Sequence, residues 1–324
     1  MFKRARTPEE LATKCTDALD KLRRDRANEE QLERVRKYLT EMRTILLSPD
    51  VSTQSRALVK AASKVSLATQ LVEHLRNLPF ETRKDAATVF NCLIRTEVDG
   101  QEVVVEELSD SPELLEVIAT GYEVTDAALT YGAILRDLCR NQTLVRKILY
   151  AESFWKLFEY MQLQTFEIAS DAMATFREAL TRHKDIAAEF LMANYDRFFK
   201  EYTELLEKGN YVTRRQSLKL LGELLLDSAN VQVMLKYVAE VENMCFMMNL
   251  LRDESKSIQF EAFHIFKVFV ANPEKPAMVS TILTKNKAKL ITYLQDFQTT
   301  REDESFHSER TMLLELLADL PDAE

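Results

Sequence analysis

Five stretches of this chain repeat one another. "RKDAATVFNCLIR" (83–95), "TYGAILRDLCR" (130–140), "SDAMATFREALTR" (170–182), "RRQSLKLLGELLLD" (214–227) and "IQFEAFHIFKVFVAN" (258–272) share a pattern. Each has a small or polar first turn, then an apolar pair, then apolar residues three to four further on. Aligned on Phe90, Leu135, Phe176, Leu221 and Phe266, the steps are 45, 41, 45 and 45 residues. One further step back reaches Ile45 in "YLTEMRTILLS", a weaker unit. A period near 45 belongs to HEAT and armadillo repeats, in which pairs or triplets of helices stack. One such repeat cannot bury its own apolar face, whereas stacked neighbours can. The expectation is an all-α chain: an armadillo/HEAT-like helical-repeat solenoid, a curved rod, with residues 1–324 as a single domain of about six repeats.

Other features agree with this reading. Five glycines and seven prolines in 324 residues leave little material for the turns of a large sheet. "SPELLEVIATGYE", "LVRKILYAESFWKLFEYM", "IAAEFLMANYDRFFKEYTELL" and "YVAEVENMCFMMNLL", between the anchors, carry apolar residues at helical spacing. "TPEELATKCTDALDKL" reads as an N-terminal cap helix near 7–26, with Thr7 at the N-cap, Pro8 at N1, and Glu9 and Glu10 in the first turn. "VDGQEVVVEEL" (98–108) is the one strand-like run and reads as a loop entering a short helix.

The net charge of −9 argues against a general nucleic-acid or anionic-membrane surface. The basic run "KLRRDR" (Lys21 to Arg26) is most simply a solvated helix face. Cys15, Cys92, Cys139 and Cys245 are far apart and make no C-x-x-C. "MFKRARTPEEL" has charge but no apolar run after it, so no secretory start is expected. The expected compartment is the cytoplasm, with reduced, mostly core-packing cysteines. "NQT" at Asn141–Thr143 matches the glycosylation pattern, a chance match in that setting.

Sites of catalysis are not evident. No G-x-G-x-x-G, G-K-[ST] or G-x-S-x-G occurs. The four histidines, His74, His183, His264 and His307, make no H-E-x-x-H and pair with no cysteine at metal-ligand spacing. No calcium-loop pattern is present either. His183 falls at a helix end and His264 reads as a packed or edge histidine. The reading is of a protein that is not an enzyme and holds no cofactor or metal.

The blocks "SDAMATFREALTRHK", "YDRFF", "NYVTRRQSLKLLGELLLD" and "MMNLLRDESKSIQFEAFHIFKVFVANP" resemble the calcium-binding protein 39 family, also called morula protein 25, scaffold proteins of kinase complexes. The match is clear from about residue 80 to 310; before that it rests on "TPEEL" and helix pattern. The resemblance implies a non-catalytic scaffold and allosteric activator. It would bind Ste20-type protein kinases or pseudokinases on its concave face and stabilise their active conformation. A pocket near the C-terminal end would receive a hydrophobic, Trp-Glu-Phe-like tail of the partner. Phe166, Tyr211 and Arg215 match kinase-contacting positions, and Met248 matches the tail pocket. Animal relatives have Arg and Phe where this chain has Ser228 and Val231, and a basic residue at Cys245. The resemblance therefore leaves open a third kinase in the complex and the tail motif. Ordinary roles compete at each position: core packing for Phe166, a staple for Tyr211, and a Met244, Met247, Met248, Leu251 core stripe for Met248. A helical-repeat adaptor that assembles a signalling or cell-polarity complex without changing kinase activity is the alternative.

Arg214 and Arg215 pose a separate physical question. "Thr213-Arg214-Arg215-Gln216" fits a capping box, with Thr213 as N-cap and Gln216 at N3. The arginines then occupy N1 and N2, where each exposed cation costs about 0.3–1 kcal/mol. A nearby carboxylate, of this acidic chain or of a partner, can offset that cost. Arg215 leads a face through Lys219, Gly222 and Leu226, separate from the apolar line Leu218, Leu221, Leu225. A close backbone approach is expected at Gly222, because an interior helical glycine costs roughly 1 kcal/mol relative to Ala. Arg214 is left without a role beyond solvation.

Overall fold

The computed structural model describes residues 6–25, 28–48 and 53–321. Helices occupy nearly all of them, and the described residues form two compact units, Met1–Ala187 and Ala188–Glu324. The first unit contains α1 (Pro8–Arg24), α2 (Glu29–Leu46), α3 (Thr53–Lys64), α4 (Leu67–His74), α5 (Phe80–Arg95), α6 (Val103–Ser109), α7 (Pro112–Ala119), α8 (Ala128–Leu138), α9 (Gln142–Tyr150), α10 (Glu152–Tyr160) and α11 (Phe166–Thr181). The boundary falls inside α12 (Lys184–Ala193). The second unit continues with α13 (Tyr195–Lys208), α14 (Tyr211–Leu226), α15 (Val231–Ala239), α16 (Val241–Leu250), α17 (Lys256–Ala271), α18 (Ala277–Gln295) and α19 (Glu304–Ala318).

The 45-residue period is a helix triplet. In the first unit α3, α6 and α9 open successive triplets, α4, α7 and α10 follow, and α5, α8 and α11 close them; each packs on its equivalent in the next. α14 and α17 do the same in the second unit. The anchors Phe90, Leu135, Phe176, Leu221 and Phe266 all lie in the C-terminal halves of these closing helices and are buried. Truncating one of the phenylalanines to Ala should cost about 3–5 kcal/mol, from lost transfer energy and the cavity left behind. Ile45 is only half-buried at the end of α2, and Met42, one turn earlier, takes the core position.

Polar links join neighbouring triplets at about one repeat length. Arg43 pairs with Asp85, and the Arg95 guanidinium reaches both oxygens of Asp137 at 2.5 and 2.6 Å. In the second unit Lys236 meets Asp196 at 3.1 Å.

Local expectations are largely met. Thr7 caps α1 in a reciprocal capping box with Glu10, and Pro8 is its first residue. The run Lys21–Arg24 closes that helix; Arg26 and the first five residues lie outside the described residues. Val98 and Gln101 form an isolated bridge around Asp99 and Gly100, whose φ of 54° and 78° make a left-handed turn into α6. Asn141 of "NQT" caps α9, accepting from the Thr143 and Leu144 amides and donating to Glu102. All four cysteines are free, and burial pushes the Cys15 and Cys139 thiols up to about 12. His183 follows α11, with Nε2 2.8 Å from the Arg140 carbonyl oxygen. His264 is half-buried against the Phe260 ring, and burial, then Lys267, holds its pKa below the ordinary value.

Candidate functional site

α14 begins three residues earlier than the capping-box reading expects. Asn210 is the N-cap, and its Oδ1 accepts from the Thr213 amide at 3.0 Å and the Thr213 hydroxyl at 3.2 Å. Asn210 and Thr213 are both capping residues; Asn210 wins because it satisfies the amide while Thr213 is buried under the first turn. Arg214 and Arg215 therefore sit at the end of the first turn, where the helix dipole opposes cations less.

The two arginines then diverge. Arg214 points into the protein: its Nε donates to the Leu206 carbonyl oxygen at 2.9 Å and its Nη2 to Asp253 Oδ2 at 2.7 Å. Its side chain is one-quarter exposed and Asp253 less so, so the solvated reading of Arg214 is wrong. It ties α14 to the preceding helix and to the turn before α17. Arg215 points outward, 47% exposed, with its Nε 3.8 Å from Glu261 Oε1 on α17. That separation is beyond hydrogen-bond length.

Glu261 is the residue that sequence reasoning missed. It is mostly covered, and burial holds its carboxyl above the ordinary value although Arg215, Lys219 and Arg301 pull the other way. Its signal was a lone carboxylate between Phe260 and Ala262 in an otherwise apolar run. Tyr211, the first residue of α14, is half-exposed, which excludes its packing as a staple. The Ser257 hydroxyl, then Ser255 and Arg215, hold its phenol below the usual value. Tyr211, Arg215 and Lys219 thus form one polar, accessible patch on α14, backed by the mostly covered Glu261 of α17. Leu218, Leu221 and Leu225 are buried in the stack, as their spacing implies. Gly222 has no close neighbour: an added Cβ would meet only Ile265 Cγ1, at 3.8 Å, so no close backbone approach explains it.

Phe166 is the first residue of α11 and 63% exposed, which removes the core reading. Phe80 begins α5 in the same way and is equally exposed, a parallel the repeat alignment passed over because it started at Arg83. Met248 is half-buried on α16, while Met244, Met247 and Leu251 are core. Cys245, one turn before it, is also half-buried, so this edge of the helix is only partly covered. Ser228 and Val231 are exposed at the end of α14 and the start of α15.

This architecture carries the same sequence blocks as a known group of proteins, and a family model described as Mo25-like matches residues 1–321. The chain belongs to the Mo25-like family. The mouse protein calcium-binding protein 39-like is 42% identical over 324 residues, covering 98% of this chain and 96% of its own length. The degreening-related gene dee76 protein of Auxenochlorella protothecoides is 44% identical over 288 residues, covering 87% of this chain and 90% of its own. A Mo25-like protein of Schizosaccharomyces pombe is 41% identical over 317 residues, with 96% of both chains covered. Family membership thus extends through the first 80 residues, where the sequence motifs were thin. Among the described residues of this family member, no three His, Cys, Asp or Glu side chains are grouped to hold a metal ion. No described helix is long and apolar enough to cross a membrane.

Proposed function

We propose that this chain is a non-catalytic cytoplasmic scaffold and allosteric activator of a Ste20-type protein kinase or pseudokinase. Phe166, Tyr211 and Arg215 contact the kinase domain, and the partly covered edge at Met248 receives a hydrophobic tail of the partner. In this reading residues 1–324 act as a single helical-repeat domain of about six repeats. The observation that carries this reading is the state of Arg215. The core does not need it, its internal carboxylate is too far to saturate it, and Tyr211 stands beside it. A guanidinium has five N–H donors, and a carboxylate of a docked partner would find most of them available.

Activation follows if the patch binds the active kinase conformer more tightly than the inactive one, which shifts that equilibrium by the differential affinity. A tail held at Met248 raises the effective concentration of the kinase domain at the patch. Coupling of this kind gives about 5- to 150-fold effects. The test is the kcat/KM of a purified Ste20-type kinase with the wild-type chain and with Arg215→Ala. Stimulation should fall sharply with the variant while its helix content and melting stay unchanged. Equal stimulation by both removes Arg215 from the mechanism. For Met248→Ala, lost affinity for a Trp-Glu-Phe-ending peptide is expected, and unchanged affinity removes that contact.

A further inference from the structure

A second site lies within the first unit. The start of α9, the turn after α11 and the start of α12 enclose a cleft of about 650 Å³. That is within the size range of sites that hold small ligands or a few residues of peptide. Arg146 and Lys147 line one wall; Arg182, His183 and Lys184 line the other. Asp185 is the carboxylate among the lining residues. The four arginines and lysines and Asp185 are exposed, and the cleft closes on buried Ile186.

This concentration runs against the molecule as a whole, which carries 52 acidic and 43 basic residues. Two of the groups are positioned by backbone carbonyl oxygens. Lys147 Nζ donates to the Ser109 carbonyl oxygen at 2.5 Å, and His183 Nε2 lies against the Arg140 carbonyl. At Lys147 the carbonyl oxygen orients the ammonium but does not cancel its charge. Arg182 is steadied by Glu178 at 3.0 Å. Lys184 is the first residue of α12, where the helix dipole disfavours a cation. The α9 amides facing this end are already capped by Asn141, so any pull on an anion comes from side chains.

We propose that this cleft binds an acidic linear segment of a partner protein, through carboxylate or phosphate oxygens on consecutive side chains. Clusters of Arg and Lys recognise acidic and phosphorylated motifs by charge-assisted hydrogen bonds. A short segment suits the site better than a membrane or nucleic acid. Screening confines the favourable potential to about 8 Å, and an extended polyanion would also meet the acidic remainder of the surface.

The experiment uses the full chain and fluorescence anisotropy with labelled peptides of about eight residues. One carries a central phosphoserine among glutamates, one has glutamate throughout, and one is neutral. Vesicles containing phosphatidylserine are run in parallel. Binding of either acidic peptide, weakened at about 0.5 M salt and absent for the neutral peptide, is expected. Preference for the phosphoserine peptide assigns the source as phosphate; equal binding assigns carboxylates. The double variant Arg146→Glu, Lys184→Glu should weaken binding more than about tenfold with unchanged helix content. If that variant fails to fold, Lys184→Glu alone should still weaken binding by about threefold or more. Arg215→Ala should leave peptide binding intact, which separates this site from the kinase patch. No peptide binding, binding indifferent to charge reversal, or binding to vesicles alone would overturn the proposal.

Discussion

The face that α8 and α11 build in the first unit and the face that α14 and α17 build in the second use the same parts to opposite ends. Each pairs a helical glycine with an arginine on the same face of the same helix, one turn away for Gly132 and Arg136 and two turns for Gly222 and Arg215. Between α8 and α11 the parts are closed on themselves. The Arg136 guanidinium meets Asp171 Oδ2 at 2.8 Å and the Thr175 hydroxyl at 3.0 Å. The buried Tyr122 hydroxyl is 2.7 Å from both Asp171 and Thr175. Gly132 makes room for this network: an added Cβ would stand 1.9 Å from Asp171 Oδ2 and 2.4 Å from the Tyr122 oxygen. Between α14 and α17 the glycine is uncrowded, the arginine half-exposed, and its carboxylate at 3.8 Å. A polar cluster that saturates itself is structure. One left unsaturated is available to a partner.

Substitutions can break or sharpen that contrast. Gly132→Ala should be the most damaging, at about 3 kcal/mol, because Asp171 and Tyr122 are bonded to each other and cannot yield separately. A fall in the urea midpoint at constant m measures it. A loss below about 0.5 kcal/mol would mean that the α8 network is as loose as the α14 patch. Arg214→Ala should come next, at about 1–3 kcal/mol, since it removes the guanidinium donors from the Leu206 carbonyl and from Oδ2 of the mostly buried Asp253, which keeps the Ser255 amide on Oδ1. Arg215→Ala, one residue on, should change stability by less than about 0.5 kcal/mol, as for exposed ion pairs generally. Similar losses for the two arginines would end the distinction between them.

Gly222→Ala should stabilise, by about 0.5–1 kcal/mol, because a methyl group fits there and lowers the entropy of the unfolded chain. If it also lowers kinase binding, the glycine is kept for a partner's close approach. The smallest effect concerns Glu261. Burial raises its folded pKa, so its contribution to stability is full below the unfolded value of 4.5 and is lost as pH rises through the raised value. Glu261→Gln lacks that loss. Unfolding midpoints should therefore shift in favour of the variant as pH rises above the unfolded value. A parallel pH dependence for both proteins would show that Glu261 is not held above its ordinary value.

Much of this was legible from spacing. Anchors at a period near 45 identify which helices stack, since only residues at equivalent positions can share one continuous core. Thr7, Pro8 and Glu10 announce α1 because a cap is a local hydrogen-bond pattern. The start of α14 was not legible: Asn210 and Thr213 are both competent caps, and burial of the Thr213 side chain decides between them.

By itself the sequence determined an all-helical repeat chain and, through its motifs, membership of the Mo25-like family. Both depend on local periodicity and on residue identity. Tertiary structure alone decided which of two adjacent arginines is structural. Arg214 and Arg215 differ by 100° about the helix axis, and only packing against Leu206, Asp253 and Glu261 says which direction is inside. It likewise decided which glycine is obligatory. Gly132 and Gly222 look alike in the sequence, and the difference lies in side chains brought in from other helices.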